Sequence, residues 1–221
     1  TGLAGRALFQ DRLEHAVARA RREGGRFALL YIDLDRFKPI NDTLGHHVGD
    51  LALRCAANRI HKNVREADTA ARLGGDEFAV ILESPCGASG AIEVGRKLAA
   101  LLARPLQHAD GELQFGASIG IAVFPDHATS AADLLACADA AMYCAKHSGG
   151  NQALLYGDRG TNSARAMAEA TPNLEPGSAH SVTALLVEGD AADARLVEML
   201  LDTLPERPCE FGRATSLREA L

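Results

Sequence analysis

The amino-acid sequence predicts an α+β domain, a central and mainly antiparallel sheet flanked by helices, with an incomplete α/β segment behind it. Three observations carry this. Phe27-Ala28-Leu29-Leu30-Tyr31-Ile32 is a continuous apolar run of strand length, the pattern of a strand buried on both faces. Thr69-Ala70-Ala71 and Phe78-Ala79-Val80-Ile81-Leu82 are two further runs joined across Gly74-Gly75, which reads as a hairpin. The order strand, helix, hairpin, helix, strand, helix departs from simple β-α alternation and favours helices packed on an antiparallel sheet.

Ala7 to Arg22 carries apolar residues at Leu8, Leu13, Ala16-Val17 and Ala20, a helical period stopped by Gly24-Gly25. The first strand ends in Asp33-Leu34-Asp35. The stretch Pro39 to Asp50 is rich in turn residues and reads as a loop, with a helix following through Leu51, Leu53, Cys55-Ala56 and Ile60. Ser89 to Ala103 is an amphipathic helix closed by Pro105. Leu113 to Val123 reads as one strand ended by Pro125, and Ser130 N-caps a helix with Asp133 at the third position. Gly149-Gly150 close that helix, and Ala153 to Tyr156 is a last edge strand. Residues 157–180 read as a linker, partly helical at Ser163–Ala170. Val182–Val187, a helix over Ala191–Leu204, a strand at Cys209–Phe211 and a helix from Ser216 begin a βαβα unit.

The chain of 221 residues has room for one ordinary domain and something smaller. Lys+Arg 23 against Asp+Glu 29, without a basic block, argues against a nucleic-acid polymer as main partner. Cys55, Cys86, Cys137, Cys144 and Cys209 are odd in number and lack C-x₂-C spacing, which suggests buried reduced thiols and a cytoplasmic location. No apolar run is long enough to span a membrane. A start at Thr1 suggests a piece of a longer chain.

Arg72-Leu73-Gly74-Gly75-Asp76-Glu77-Phe78 is the stretch around which the chemistry gathers. Glycines let a backbone approach a phosphate and offer it N–H groups, and adjacent carboxylates can hold a divalent cation. A plain hairpin tip with two solvated acids has the same appearance. Asp33, closing a strand of the same expected sheet, tips the reading toward two carboxylates converging on metal, as nucleotidyl transfer needs. Lys38 and Lys146 are available for phosphates, and Asn41 with Asp50 for a base edge; alone, these four read as surface charges, a turn and a helix-start acid.

Asp33-x-Asp35-x-Phe37-Lys38-x-x-Asn41-Asp42-x-x-Gly45-His46-x-x-Gly49-Asp50, then Arg72 to Phe78, then Ala138-Asp139-x-Ala141-Met142-Tyr143-x-Ala145-Lys146, together resemble the GGDEF family of diguanylate cyclases over Thr1 to Tyr156. The resemblance implies a fold similar to class III nucleotidyl cyclases and polymerase palms. It implies condensation of two GTP into cyclic di-GMP with loss of pyrophosphate, across a homodimer. Asp33, Asp76 and the Leu34 carbonyl would bind magnesium or manganese, and Asp76 or Glu77 would help deprotonate the 3′-hydroxyl. Asn41, His46 and Asp50 would hold guanine and ribose. Lys38 and Lys146, with the amides around Phe37 and Gly75, would hold phosphates. Arg65-x-x-Asp68, with Arg96, matches the family's inhibitory product site, where an arginine's planar fork suits phosphate and guanine.

Two departures qualify the resemblance. The family usually carries arginine where Gly150 stands here, which predicts weaker GTP handling and leaves open an alternative: a weakly active or inactive sensor binding GTP or cyclic di-GMP. Leu185-Leu186-Val187-Glu188-Gly189-Asp190 resembles the start of a response-regulator receiver with Gly189 replacing an acid. The expected organisation is a cyclase domain at 1–156, a linker at 157–180 and an incomplete receiver-like segment at 181–221, within a larger signalling protein.

Overall fold

A computed structural model describes residues 1–83, 87–108 and 111–158, and strands at 183–187 and 210–214. The chain divides into two units, Thr1–Thr171 and Pro172–Leu221. In the first, strand β1 (Phe27–Asp35) is the centre, buried along its length except for Asp35, as its unbroken apolar run requires. It pairs antiparallel with β3 (Glu77–Leu82) on one side and β6 (Gly116–Phe124) on the other. The edges are β2 (Thr69–Gly74), antiparallel to β3, and β7 (Gln152–Leu155), parallel to β6. The sheet is therefore mixed but mainly antiparallel, with order β2-β3-β1-β6-β7.

Because strand side chains alternate, the sheet has two cores. Phe27, Leu29 and Tyr31 face helices α1 (Arg6–Glu23) and α5 (Ala131–His147). Ala28, Leu30, Ile32 and Leu34 face α2 (Phe37–Leu44), α3 (His46–His61) and α4 (Gly87–Leu102). Ser130 caps α5 as expected, its Oγ accepting from the Asp133 amide at 3.1 Å.

Several expectations need correction. The stretch from Pro39 to Asp50 is no loop: it is most of α2 and the start of α3. Pro39 lies in the first turn, where its missing N–H costs no helical bond. Phe37, Ile40 and Val48 are buried, an apolar period too sparse among polar residues to be read. Asn41 is thus helical, and Asp50 lies beyond the first turn of α3. Residues Leu113 to Val123 do not form one strand. A small hairpin of β4 (Leu106–His108) and β5 (Gly111–Leu113) precedes β6, and Phe115 turns into the core with the Arg59 guanidinium 5.7 Å from its ring centroid. Of the described cysteines only Cys144 is buried; Cys55 and Cys137 are half-buried.

The second unit shows β8 (Thr183–Val187) parallel to β9 (Glu210–Ala214). Parallel pairing with a long crossover is common to all βαβ folds, so it lends the receiver resemblance no specific support. The helices expected at 163–170, 191–204 and from 216, with Cys86 and Cys209, fall outside the described residues.

Candidate active site

The site forms where β1 leaves the sheet. Asp33 stands opposite Glu77 on β3 and Ser118 on β6, so all three project from the face that carries α1 and α5. The Leu34 N–H donates to the Asp76 carbonyl oxygen at 3.3 Å, drawing the hairpin tip to the end of β1. In a strand a residue's N–H and C=O point the same way, so the Leu34 carbonyl also faces the hairpin, past the last paired residues Asp33 and Glu77. The tip itself depends on Gly75, at φ +44, and a bulge between Arg72 and Gly74. Arg72 fixes it by donating from Nε and Nη2 to the Gly75 oxygen at 3.0 and 2.7 Å.

Lys146, in the last turn of α5, reaches Asp33 with Nζ 2.7 Å from Oδ1. Asp33 is only 8% exposed. Burial pushes its carboxyl up, outweighing Lys146, and the charges of Asp76 and Asp35 add to the rise. Burial alone would lower Lys146, but its bond to Asp33 and the charges of Asp33, Asp76 and Asp35 raise it. Asp33, Asp76, Asp35 and Lys146 therefore share one electrostatic site.

Among the described residues no three His, Cys, Asp or Glu side chains make a ready cation cluster. Asp33 lies close enough to Asp76 and Asp35 to feel their charge, a repulsion between acids that a cation would relieve, and the Leu34 carbonyl is a further oxygen on that side. Two carboxylates leaving coordination free for phosphate oxygens fit magnesium or manganese, which seldom take an all-protein cage.

Glu77, though adjacent in sequence to Asp76, has other neighbours. Arg6 Nη2 lies 3.4 Å from its Oε2. Burial, and after it the charge of the nearby Glu77 carboxylate, raise Tyr31 above its ordinary value. Burial and the Glu77 charge likewise raise Asp139. Of the two hairpin acids, Asp76 is the one coupled to Asp33 and Lys146.

The remaining expected residues lie on α2, α3 and α4 and in the turn before β2. Phe37 begins α2 with its ring buried, and Lys38 beside it is exposed at the helix's amino end, where N–H groups are unpaired. Asn41 packs against Gly49, where an added Cβ would collide with the Asn41 amide oxygen. His46 and Asp50 on α3 are exposed. Arg65 and Arg96 are exposed, while Asp68 closes its own turn, accepting from the Arg65 amide at 2.8 Å and the Glu83 amide at 3.1 Å.

Asp35 escaped the sequence reading as a working residue. Its carboxylate accepts from Ser118 Oγ at 2.7 Å and the Asn151 amide at 2.6 Å, tying the loop after α5 to β1. Gly150, at φ +70, lies in that loop, and a Cβ there would come within 3.0 Å of Asp35. Arg6, Tyr31 and Asp139 were likewise missed; the alternation placing Tyr31 on the face of Asp33 was the one available signal.

Residues 1–152 match the family described as diguanylate cyclase, GGDEF domain. Over 151 residues the chain is 47% identical to the bifunctional diguanylate cyclase/cyclic di-GMP phosphodiesterase MucR of Pseudomonas aeruginosa, covering 68% of this chain but 22% of MucR. The crystal structure of the GGDEF domain of TpbB from Pseudomonas aeruginosa superimposes with TM-score 0.68 at 42% identity, covering 70% of this chain and 97% of that one. The coiled coil and GGDEF domain of DgcB from Caulobacter crescentus, in complex with c-di-GMP, gives TM-score 0.66 at 31% identity, covering 70% and 82%. The chain thus spans about a fifth to a third of the length of these curated relatives, 22% of MucR and 34% of TpbB.

Proposed function

The chain belongs to the GGDEF diguanylate cyclase family, and we propose that it condenses two GTP into cyclic di-GMP. The observation that carries this is the contact of Lys146 with the buried Asp33, at 2.7 Å, where the Leu34 amide draws the Asp76 end of the Gly74-Gly75 tip to the end of β1. The 3′-oxygen of one GTP attacks the α-phosphorus of the other, and the bond to the β-phosphate oxygen breaks. Repetition in the opposite sense closes the ring, so two GTP yield one cyclic di-GMP and two pyrophosphates. Each 3′-hydroxyl proton passes to a carboxylate, Asp76 by its place beside Asp33, with Glu77 the other candidate.

Asp33, Asp76 and the Leu34 carbonyl would hold magnesium or manganese. Bound there, the cation eases deprotonation of the attacking hydroxyl and neutralises charge on the leaving pyrophosphate. Lys38, the amides at the start of α2 and around Gly75, and Lys146 hold phosphates, while Asn41, His46 and Asp50 hold guanine and ribose. Gly49 supports that assignment, since its missing side chain makes room for the Asn41 amide.

One domain holds one GTP, so turnover needs two copies face to face. GTP as substrate also fits a cytoplasmic location, and no helix among the described residues is long and apolar enough to cross a membrane. Arg65, Asp68 and Arg96 form the product site through which cyclic di-GMP inhibits. The locked turn at Asp68 supports this, because it presents an exposed Arg65 from a fixed backbone. The organisation we propose is a cyclase domain over 1–156, a linker over 157–180 and a separate segment over 181–221.

Incubation with GTP and magnesium, followed by chromatography for cyclic di-GMP and a pyrophosphate assay, tests the reading. Product from wild type and none from Asp33→Asn supports it. A second reading, a sensor that binds without turnover, is favoured by Gly150, whose backbone lies against Asp35 and supplies no cation. Tight cyclic di-GMP binding by a wild type that makes no product would establish the sensor.

A further inference from the structure

The chain enters the domain along the hairpin that carries the acids. Just before α1, the Ala4 amide donates to the Ala70 oxygen at 3.3 Å and the Ala4 oxygen accepts from the Arg72 amide at 2.9 Å, extending the sheet past edge strand β2. Arg6, two residues on, then reaches across the hairpin. Its Nε donates to the Leu73 oxygen at 2.9 Å, and its Nη2 lies 3.4 Å from Glu77 Oε2. A Cβ on Gly74 would stand 3.7 Å from the same nitrogen. Arg6 thus spans the turn from its first strand to its second, touching both sides of the Gly74–Asp76 tip; of the residues assigned to the reaction it touches only Glu77, the second candidate proton acceptor.

We propose that Arg6 is a positioning residue for the cyclase reaction, clamping the hairpin so that Asp76 stays against the end of β1. The inference rests on the cyclase reading above. The tip needs such a clamp because Gly74 and Gly75 have no side chain to pack, the buried Leu73 anchoring only its near side, while the chemistry tolerates little displacement. Arginine suits the task, since Nε and Nη2 lie in one plane and contact a carbonyl and a carboxylate together. The Arg6 side chain is 63% exposed and its ion pair with Glu77 is long, so it adds little to global stability. What it controls is the place of the tip, and misplacement of about 1 Å at a reacting centre costs roughly a hundredfold in rate.

The test compares wild type, Arg6→Ala and Arg6→Lys for kcat and KM toward GTP, for melting temperature, and for amide exchange at residues 73–77. Arg6→Ala is expected to lose about tenfold to a hundredfold in kcat, with KM within about twofold, an almost unchanged melting temperature and faster exchange at the tip. Arg6→Lys, which keeps a cation beside Glu77 but not the fork, falls between the two. Wild-type kcat in Arg6→Ala, an unchanged exchange rate at the tip, or outright unfolding of that variant each overturns the proposal. A wild type that makes no cyclic di-GMP refutes the cyclase reading instead, and the exchange data then decide the clamp alone.

Discussion

Asp33 is a buried acid kept where burial and two neighbouring carboxylates all oppose its ionisation, with Lys146 as its one cationic partner among the groups that shift it. Such a residue serves charge rather than stability, since an apolar side chain would pack there at less cost. Asp33→Asn should cut cyclic di-GMP formation by about a hundredfold or more while leaving the domain folded, checked by product assay and circular dichroism. Gly49→Ala makes a different prediction. Its new methyl meets the end of the flexible Asn41 side chain, which can swing away, and comes within 3.3 Å of the Phe37 ring, which must give by a few tenths of an ångström. Stability should hardly change, while KM for GTP rises by roughly tenfold, measured by steady-state kinetics. His127 predicts a pH dependence. Its Nδ1 accepts from the Val123 amide at 2.9 Å, and burial lowers its pKa against the opposing charges of Asp126 and Asp158. The unfolded chain therefore binds that proton more readily. The stabilisation is complete above the ordinary histidine value, about 6.5, and fades as pH falls through it toward the lower folded value. Melting temperatures from pH 8 to pH 5 should fall more for wild type than for His127→Asn.

At the scale of elements, the join between α5 and β6 decides whether Lys146 can reach Asp33. A Cβ on Gly120 would run into the backbone of α5, at the Ala138 oxygen and the Met142 nitrogen, neither of which can turn aside. Gly120→Ala should destabilise the domain by about 3 kcal/mol, read by urea denaturation, and lift the helix that carries Lys146. Elements with a strong local period were legible in the sequence: α1, β1, the hairpin strands and α5 lie within a few residues of their expected places. Those depending on sparse contacts were not. Polar residues outnumber apolar ones in α2, so its burial of Phe37 and Ile40 overrode a composition that favours turns. The small β4–β5 hairpin, of three residues a side, carries too few positions for alternation to register.

At the scale of the whole molecule, a reaction that joins two GTP held by two domains predicts a rate that depends on encounter. Specific activity should rise with protein concentration and level off once the dimer is populated, measured by product formation across a dilution series. The two units divide near Thr171, and every residue assigned to the site lies before it. A chain ending at Asp158 should therefore keep its fold and its turnover within about twofold, checked by thermal melting and the same product assay.

By itself, the sequence determined the sheet's central strand, the hairpin, and which residue types carry the chemistry, because apolar period, paired glycines and acid spacing are local properties of the chain. The tertiary structure alone decided which of those acids work together. Asp76 and Glu77 are neighbours in sequence, yet the charge of Asp76, at the tip, acts on Asp33 and Lys146, while Glu77, in register opposite Asp33, meets Arg6 and acts on Tyr31. Asp35, Tyr31, Asp139 and Arg6 came to lie beside these groups in the same way, from strand register and from the path of the chain into the domain. No local pattern encodes such a contact, since it depends on residues that meet from as far as 116 positions apart, as Asp35 and Asn151 do.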